Sequence, residues 1–112
     1  RATGNNPLKG MKTVILLDGT SASASEIVAG ALKENKAATI VGEKSYGKGS
    51  VQTTVDMPGG ALLKVTIAKW YTPNGENISN NGISPDVEVK APENQSYLLN
   101  DIQKNKALDL LK

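Results

Sequence analysis

The chain has 112 residues, of which 38% are apolar and 21% charged, and its formal net charge is +2. This size and composition are typical of one globular domain, which we expect to span residues 1–112. The lysines are scattered rather than clustered, which argues against nucleic acid as a partner. The sequence has no cysteine and no histidine. Within this chain, that excludes a thiolate nucleophile, a Ser/His/Asp triad and the usual ligands of zinc.

The first half of the sequence predicts a strand–helix–strand unit that follows a polar arm. Residues 1–10 are rich in Gly, Asn and Pro, and we expect a flexible arm there. The β-branched, apolar run over 13–17 predicts a strand covered on both faces, as in a parallel sheet. Apolar residues at helical spacing predict a helix over 23–35, and a short apolar run predicts a second strand over 38–41.

The second half predicts a β-hairpin, a short strand and a closing helix. Alternation over 51–57 and an apolar run over 62–70 predict two strands, joined by a tight turn at 58–60. Residues 87–89 alternate again, and apolar residues spaced between 98 and 111 mark an amphipathic C-terminal helix. Together the elements predict a mixed α/β fold with a mixed sheet and one main crossover helix.

The stretch from Gly19 to Glu26 follows the first strand and opens the first helix. Such a turn places small side chains beside the unpaired N–H groups of a helix start, which suits an exposed nucleophile with oxyanion donors. The residues alone leave three serines open, Ser21, Ser23 and Ser25, and a simple helix cap is the commoner role for such residues. Because the chain has no histidine, only a lysine could serve as the uncharged base of a serine.

Lys48 is the best candidate for that base, because it lies between Gly47 and Gly49. The glycines allow the backbone to approach another segment closely and leave the lysine free to point inward. Burial disfavours an ammonium group and lowers the pKa of a lysine, whereas a solvated loop lysine is the ordinary alternative. Residues 42–48 also match the phosphate-loop pattern G-x-x-x-x-G-K. We reject that match because the Ser/Thr is missing at position 49 and a strand, not a helix, follows.

Carboxylates near the turn are the remaining candidates for chemistry. Asp18 and Glu26 flank the turn, but acidic residues at a helix start are ordinary, and no spacing makes these two a catalytic pair. We therefore assign neither a catalytic role, and we predict no metal or cofactor site.

Five short motifs, taken in order, resemble those of the carboxyl-terminal processing (tail-specific) proteases. They are SASASEI at 21–27, VGE at 41–43, YGKGSVQ at 46–52, YTPNG at 71–75 and GISPD at 82–86. The resemblance extends from about residue 11 to residue 89. It implies a ClpP/crotonase-like fold, of which this chain is the C-terminal part of the catalytic domain, without the PDZ domain and the upstream catalytic part.

The resemblance also assigns roles to individual residues. It implies a serine-type endopeptidase that cleaves proteins near their C-termini through a Ser/Lys dyad. Ser23 is then the nucleophile and Lys48 the general base, while Gln52 orients the lysine. The N–H of Ala24 is one oxyanion donor, and a glycine N–H of the upstream part completes the oxyanion hole. The isolated chain is accordingly expected to be weakly active or inactive.

Partners and location follow from the same resemblance. It implies protein or peptide substrates, no cofactor, and a bacterial cell-envelope location, periplasmic or otherwise extracytoplasmic. A homo-oligomer is compatible with it, and any membrane association or anchor would come from parts outside this chain. The alternative is a non-catalytic binding or oligomerisation module on the same fold. The presence of Ser23, Lys48 and Gln52 together argues against that alternative, because a binding module has no need of all three.

Overall fold

The computed structural model describes Gly4 and residues 9–92 and 101–112. The elements, in order, are β1 Val14–Leu17, α1 Ala24–Glu34, β2 Thr39–Gly42, β3 Ser50–Asp56, β4 Leu62–Lys69, β5 Val87–Glu88 and α2 Ile102–Leu111. A parallel sheet has the order β1-β2-β5, and the antiparallel pair β3–β4 forms a second sheet. The mixed α/β class is confirmed, with the parallel and antiparallel pairings in separate sheets.

The crossover from β1 through α1 to β2 forms the centre of the fold. β2 lies between β1 and β5, and its residues Ile40 and Val41 are fully buried, as expected for the central strand of a covered parallel sheet. The core cluster consists of Leu17, Ala29, Ile40, Ile78 and Ile83. Because β1 and β2 are parallel, the turn after β1 and the loop after β2 leave the sheet at the same edge.

Helix α1 begins and ends one residue inside the predicted range. Ser23 occupies the N-cap position and Asn35 the C-cap, where the backbone N–H of Asn35 donates to Ala31 O at 3.2 Å. Glu26 in the first turn and Lys33 in the last have the charges that the helix dipole favours. The sequence signals at both ends of this helix are therefore borne out.

The predicted hairpin is confirmed, and its strands are largely exposed. Gln52 pairs with Thr66, and the register shifts at an irregularity next to it, between residues 51 and 52. All eight residues of β4 are exposed, including the apolar residues Leu63, Val65 and Ile67 at alternate positions. Alternate residues of a strand point to the same face. The described part of the chain thus leaves one apolar face of the hairpin uncovered.

The closing helix is shorter at its N-terminus than the apolar pattern predicts. In the described residues α2 begins at Ile102, after the N-cap Asp101, whose side chain accepts a hydrogen bond from Lys104 N at 2.9 Å. The predicted helical residues 98 and 99 lie outside the described residues, as does most of the predicted arm over 1–10. α2 packs against β1 and β2. Within the described ranges, no helix is long and apolar enough to cross a membrane.

Candidate active site

The turn between β1 and α1 is held by the side chain of Asp18. Its Oδ1 accepts hydrogen bonds from the hydroxyl of Thr20 at 2.7 Å, from Thr20 N at 2.9 Å and from Ser21 N at 3.0 Å. These bonds, above all those from Thr20, stabilise the charged carboxylate and lower the pKa of Asp18. The backbone leading into α1 is therefore fixed by its own side chains.

Ser23 is distinguished from the other serines of the turn by its backbone. Its φ is 53° and its ψ is −114°, and among the three candidates it alone has a positive φ. A non-glycine residue in such a region costs about 1–3 kcal/mol, and residues of this kind cluster at active sites. A strained serine between a strand and a helix is also the arrangement of the nucleophile in the α/β-hydrolases. By contrast, Ser21 supports Asp18 through a hydroxyl contact at 3.1 Å, and Ser25 is exposed on α1.

The N–H group of Ala24 is available at the start of α1. Ala24 is the first helical residue and is exposed. Within the part of the chain that the structure describes, its N–H has no hydrogen-bond acceptor. A free N–H at the positive end of the helix dipole can stabilise a negatively charged oxygen. This geometry suits the oxyanion donor that the sequence predicts.

Glu26 connects the turn to the loop that carries Lys48. The residue is 0% exposed. Its Oε2 accepts hydrogen bonds from Ser23 N and from Lys48 N, each at 2.9 Å. Its Oε1 accepts from the Ser45 hydroxyl at 2.6 Å and from Gly47 N at 2.5 Å. The backbones of the predicted nucleophile and the predicted base are therefore neighbours, joined through a single carboxylate oxygen.

The two glycines beside Lys48 pack against residues 78–82, as expected from the sequence. A Cβ atom on Gly49 would lie 2.3 Å from Ser79 N, and one on Gly47, whose φ is 90°, would lie 3.2 Å from the carbonyl carbon of Asn80. Asn80 N also donates to Gly47 O at 2.9 Å. Glycine is therefore needed at position 49 for close approach and at position 47 for backbone conformation as well.

The side chains of Lys48 and Gln52 share a groove of about 630 Å³ with Gly19, Thr20 and Ala22 of the turn. The structure thus brings the predicted base and the predicted orienting residue to the same groove as the turn that precedes Ser23. Such a groove beside the carboxyl end of parallel strands is a common place for a ligand in α/β folds.

Lys48 does not point inward in the described chain, so it matches the solvated loop lysine that the sequence left as the alternative. Lys48 is exposed, because no described element covers the loop on its outer side. Gln52 is exposed on β3, and its Nε2 donates to the hydroxyl of Thr66 at 3.4 Å.

Sequence reasoning missed Glu26. The pattern Ser23-x-x-Glu26 is the signature of a capping box, and that signature predicts the contact from the Glu26 carboxylate to Ser23 N. The remaining contacts join residues 19 to 22 positions apart. No local pattern reports contacts at such separations, so the link from Glu26 to Lys48 required the structure.

The fold and the turn together define an α/β protein whose candidate site lies at the carboxyl edge of a parallel sheet. The sequence profile of Peptidase family S41 matches residues 1–89, and the chain belongs to this family. The family resemblance predicted from the motifs is thereby confirmed.

Individual relatives agree with this assignment. The chain is 49% identical over 84 residues to the carboxy-terminal-processing protease of Bartonella bacilliformis, a match that covers 75% of this chain and 19% of that protein. It is 48% identical over 92 residues to the "Probable CtpA-like serine protease" of Staphylococcus haemolyticus, covering 82% of this chain and 18% of that protein. The solved photosystem II D1 C-terminal processing protease matches with a TM-score of 0.67 and 44% identity, over 72% of this chain and 21% of that one. The chain therefore spans about one fifth of the length of these proteins.

Proposed function

We propose that this chain is the C-terminal part of the catalytic domain of a serine endopeptidase that cleaves proteins near their C-termini. Ser23 is the nucleophile and Lys48 the general base. The observation that carries the proposal is the pair of hydrogen bonds from Ser23 N and Lys48 N, both 2.9 Å long, to the same oxygen of Glu26. Membership in a peptidase family gives the reaction class. The two contacts hold the backbones of Ser23 and Lys48 close together, which supports the choice of these residues.

The proposed reaction follows serine peptidase chemistry with a lysine base. Neutral Lys48 removes the hydroxyl proton of Ser23, and Ser23 Oγ attacks the carbonyl carbon of the scissile peptide bond. The N–H of Ala24 donates to the oxyanion that forms, with support from the dipole of α1. The C–N bond then breaks, and Lys48 gives its proton to the leaving amine. Water, deprotonated in turn by Lys48, hydrolyses the acyl-enzyme and regenerates Ser23.

Gln52 and the surroundings of Lys48 complete the proposal. Gln52 lines the same groove as Lys48. In the proposed site its side-chain amide orients the amine of the lysine. Because Lys48 is exposed here, we expect the isolated chain to be weakly active or inactive. The remainder of the protease, or the bound substrate, covers the groove and favours the neutral amine. Protein or peptide substrates, an oligomeric assembly and an extracytoplasmic location are proposed by analogy with the family.

The non-catalytic binding module is the less favoured alternative. Such a module has no use for a serine held at φ 53°, since this backbone conformation only reduces stability. A nucleophile explains this conformation, because strained residues cluster at active sites.

The proposal is tested by Ser23→Ala and Lys48→Ala in the complete protease that contains this chain, assayed on an unstructured protein substrate. Each substitution is expected to lower kcat by about 10³-fold or more, because nucleophile and base act as one unit. Ser25→Ala and Lys44→Ala are the matched controls, since both residues are exposed neighbours of the proposed pair. The controls should cleave at the wild-type rate. Unchanged cleavage by either dyad variant would contradict the proposal.

A further inference from the structure

We propose that Glu26 is a positioning residue of the catalytic site, whose buried carboxylate fixes the backbone of Ser23 relative to that of Lys48. The inference rests on the proposed function and adds a third residue to the placement of its dyad. Glu26 itself does not touch the reacting atoms. It acts through the two residues that do.

The carboxylate of Glu26 is fully buried yet fully hydrogen-bonded. Glu26 is 0% exposed, and its two oxygens accept four hydrogen bonds of 2.5–2.9 Å. In the described ranges no cationic side chain forms an ion pair with it. A buried carboxylate is costly unless such donors surround it, and an ionised one can accept two bonds at each oxygen. The surroundings of Glu26 are thus built for a carboxylate.

The hydrogen bonds to Glu26 come mostly from the backbone. Three of the four donors are backbone N–H groups, and they belong to Ser23, Gly47 and Lys48. Such bonds fix the main chain of the nucleophile and of the base, leaving both side chains free to react. One further contact, from Tyr46 N to Ser21 O at 2.9 Å, ties the same two segments together. The nucleophile turn and the base loop are therefore held as one unit.

The other carboxylate of α1, that of Glu34, makes different contacts. Glu34 is only partly buried, and its Oε2 accepts a hydrogen bond from Asn74 N at 2.7 Å. It therefore also binds a distant loop through a backbone N–H, but it contacts neither site segment. Glu34 is the matched control for a carboxylate of the same helix that stabilises the fold alone.

The test is Glu26→Gln in the complete protease, with kcat and KM measured separately and kcat expressed per folded molecule. A glutamine offers one acceptor oxygen and turns an NH₂ group towards N–H donors, so the two backbones shift apart. We expect kcat to fall by about 10- to 100-fold with KM unchanged, because a displacement near 1 Å can cost that much in rate. Glu34→Gln should leave kcat at the wild-type value.

A merely structural role would give a different result. In that case Glu26→Gln would reduce the folded fraction, measured by circular dichroism, while kcat per folded molecule stayed at the wild-type value. That outcome overturns the inference. Where Glu26→Gln folds too poorly to measure, Glu26→Asp retains the charge but shortens the side chain by one methylene, and the same selective loss of kcat is expected. A wild-type kcat for the folded Glu26→Asp protein would then overturn it.

Failure of this inference is separable from failure of the proposed function. Cleavage that survives Ser23→Ala or Lys48→Ala removes the dyad, and with it any positioning role of Glu26. Loss of cleavage in those two variants, together with full kcat in Glu26→Gln, removes the role of Glu26 alone.

Discussion

The hydroxyl of Ser45 donates to Glu26 Oε1 at 2.6 Å, and both residues are buried. The same hydroxyl accepts a hydrogen bond from Ile83 N at 2.7 Å, while Ser45 N donates to Ile83 O at 3.0 Å. Ser45 thus links the carboxylate behind the candidate site to the segment that leads into β5. One small side chain satisfies polar groups from two other parts of the chain.

Replacing Ser45 with alanine is expected to destabilise the fold. Ser45→Ala leaves the N–H of Ile83 without its acceptor and removes one hydrogen-bond donor from an oxygen of Glu26. Both groups belong to buried residues. The loss should be about 1–3 kcal/mol, the cost of an unsatisfied buried polar group. Urea unfolding of the 112-residue chain measures it. Ser25→Ala, at an exposed helical position, is the control and should cost no stability; equal unfolding midpoints for the two variants would contradict the prediction.

Gly49 is expected to tolerate no side chain. In Gly49→Ala the added Cβ would lie 2.3 Å from Ser79 N and 2.8 Å from the carbonyl carbon of Ile78, and backbone atoms cannot move aside as a flexible side chain can. We expect a loss of about 1–3 kcal/mol, typical of overpacking, seen as a lower urea midpoint. Gly19→Ala is the control, because its Cβ would meet only Lys44 O, at an ordinary 3.9 Å. An unfolding midpoint of Gly49→Ala equal to that of Gly19→Ala would show that the loop packs differently.

Asp86 gives the fold a predictable dependence on pH. Partial burial alone would raise the pKa of Asp86. The hydrogen bond from Ile40 N at 2.8 Å and the ion pair with Lys33 at 3.1 Å stabilise the charged carboxylate more strongly, so the pKa is lowered. A carboxyl group whose pKa is lowered by folding stabilises the fold at pH values above its unfolded-state pKa, which is near 4. This stabilisation is lost as the pH falls through the folded-state pKa. Solvent screens this ion pair, because the Asp86 side chain is 37% exposed. The difference in unfolding free energy between the wild type and Asp86→Asn should therefore be at most about 1 kcal/mol at pH 7 and shrink towards zero in acid.

Measurements of urea unfolding at several pH values test this dependence, and Glu88→Gln supplies the comparison. The pair formed by Glu88 and Lys90 is longer, at 3.7 Å, and both side chains are well exposed. Its removal should change the unfolding free energy little at any pH. A stability difference for Asp86→Asn that persists unchanged into acid would mean that the ionised carboxylate is not its source.

The regular elements could be predicted because local patterns determine them. The β-branched run of β1, the helical spacing of α1 and the glycine-rich turn between β3 and β4 are all short-range signals. The ends of β1, α1, β3 and β4 each lie within one residue of the predicted bounds. The parallel pairing of β1 with β2 also followed, because a strand–helix–strand unit gives such a crossover.

The site could be predicted only in part, for a physical reason. Ser23 and Lys48 were predicted from motif order. Local chemistry could not choose among the three serines, since the strained φ of Ser23 depends on the closed turn. The burial of Glu26 depends on residues 45–48, which no nearby pattern brings to it. The exposure of Lys48 likewise depends on what packs over the loop, and spacing along the chain contains no information about that.

The strain at Ser23 leads to a prediction that separates stability from function. Ser23→Gly removes the cost of holding a side chain at φ 53°, whereas Ser23→Ala retains it. A glycine also costs about 0.4–1 kcal/mol through the greater freedom of the unfolded chain, which offsets part of the gain. We therefore expect Ser23→Gly to be more stable than Ser23→Ala by roughly 1 kcal/mol in urea unfolding, although both lack the hydroxyl. If Ser23→Ala were the more stable of the two, the turn would be unstrained, and the backbone argument for Ser23 as nucleophile would be lost.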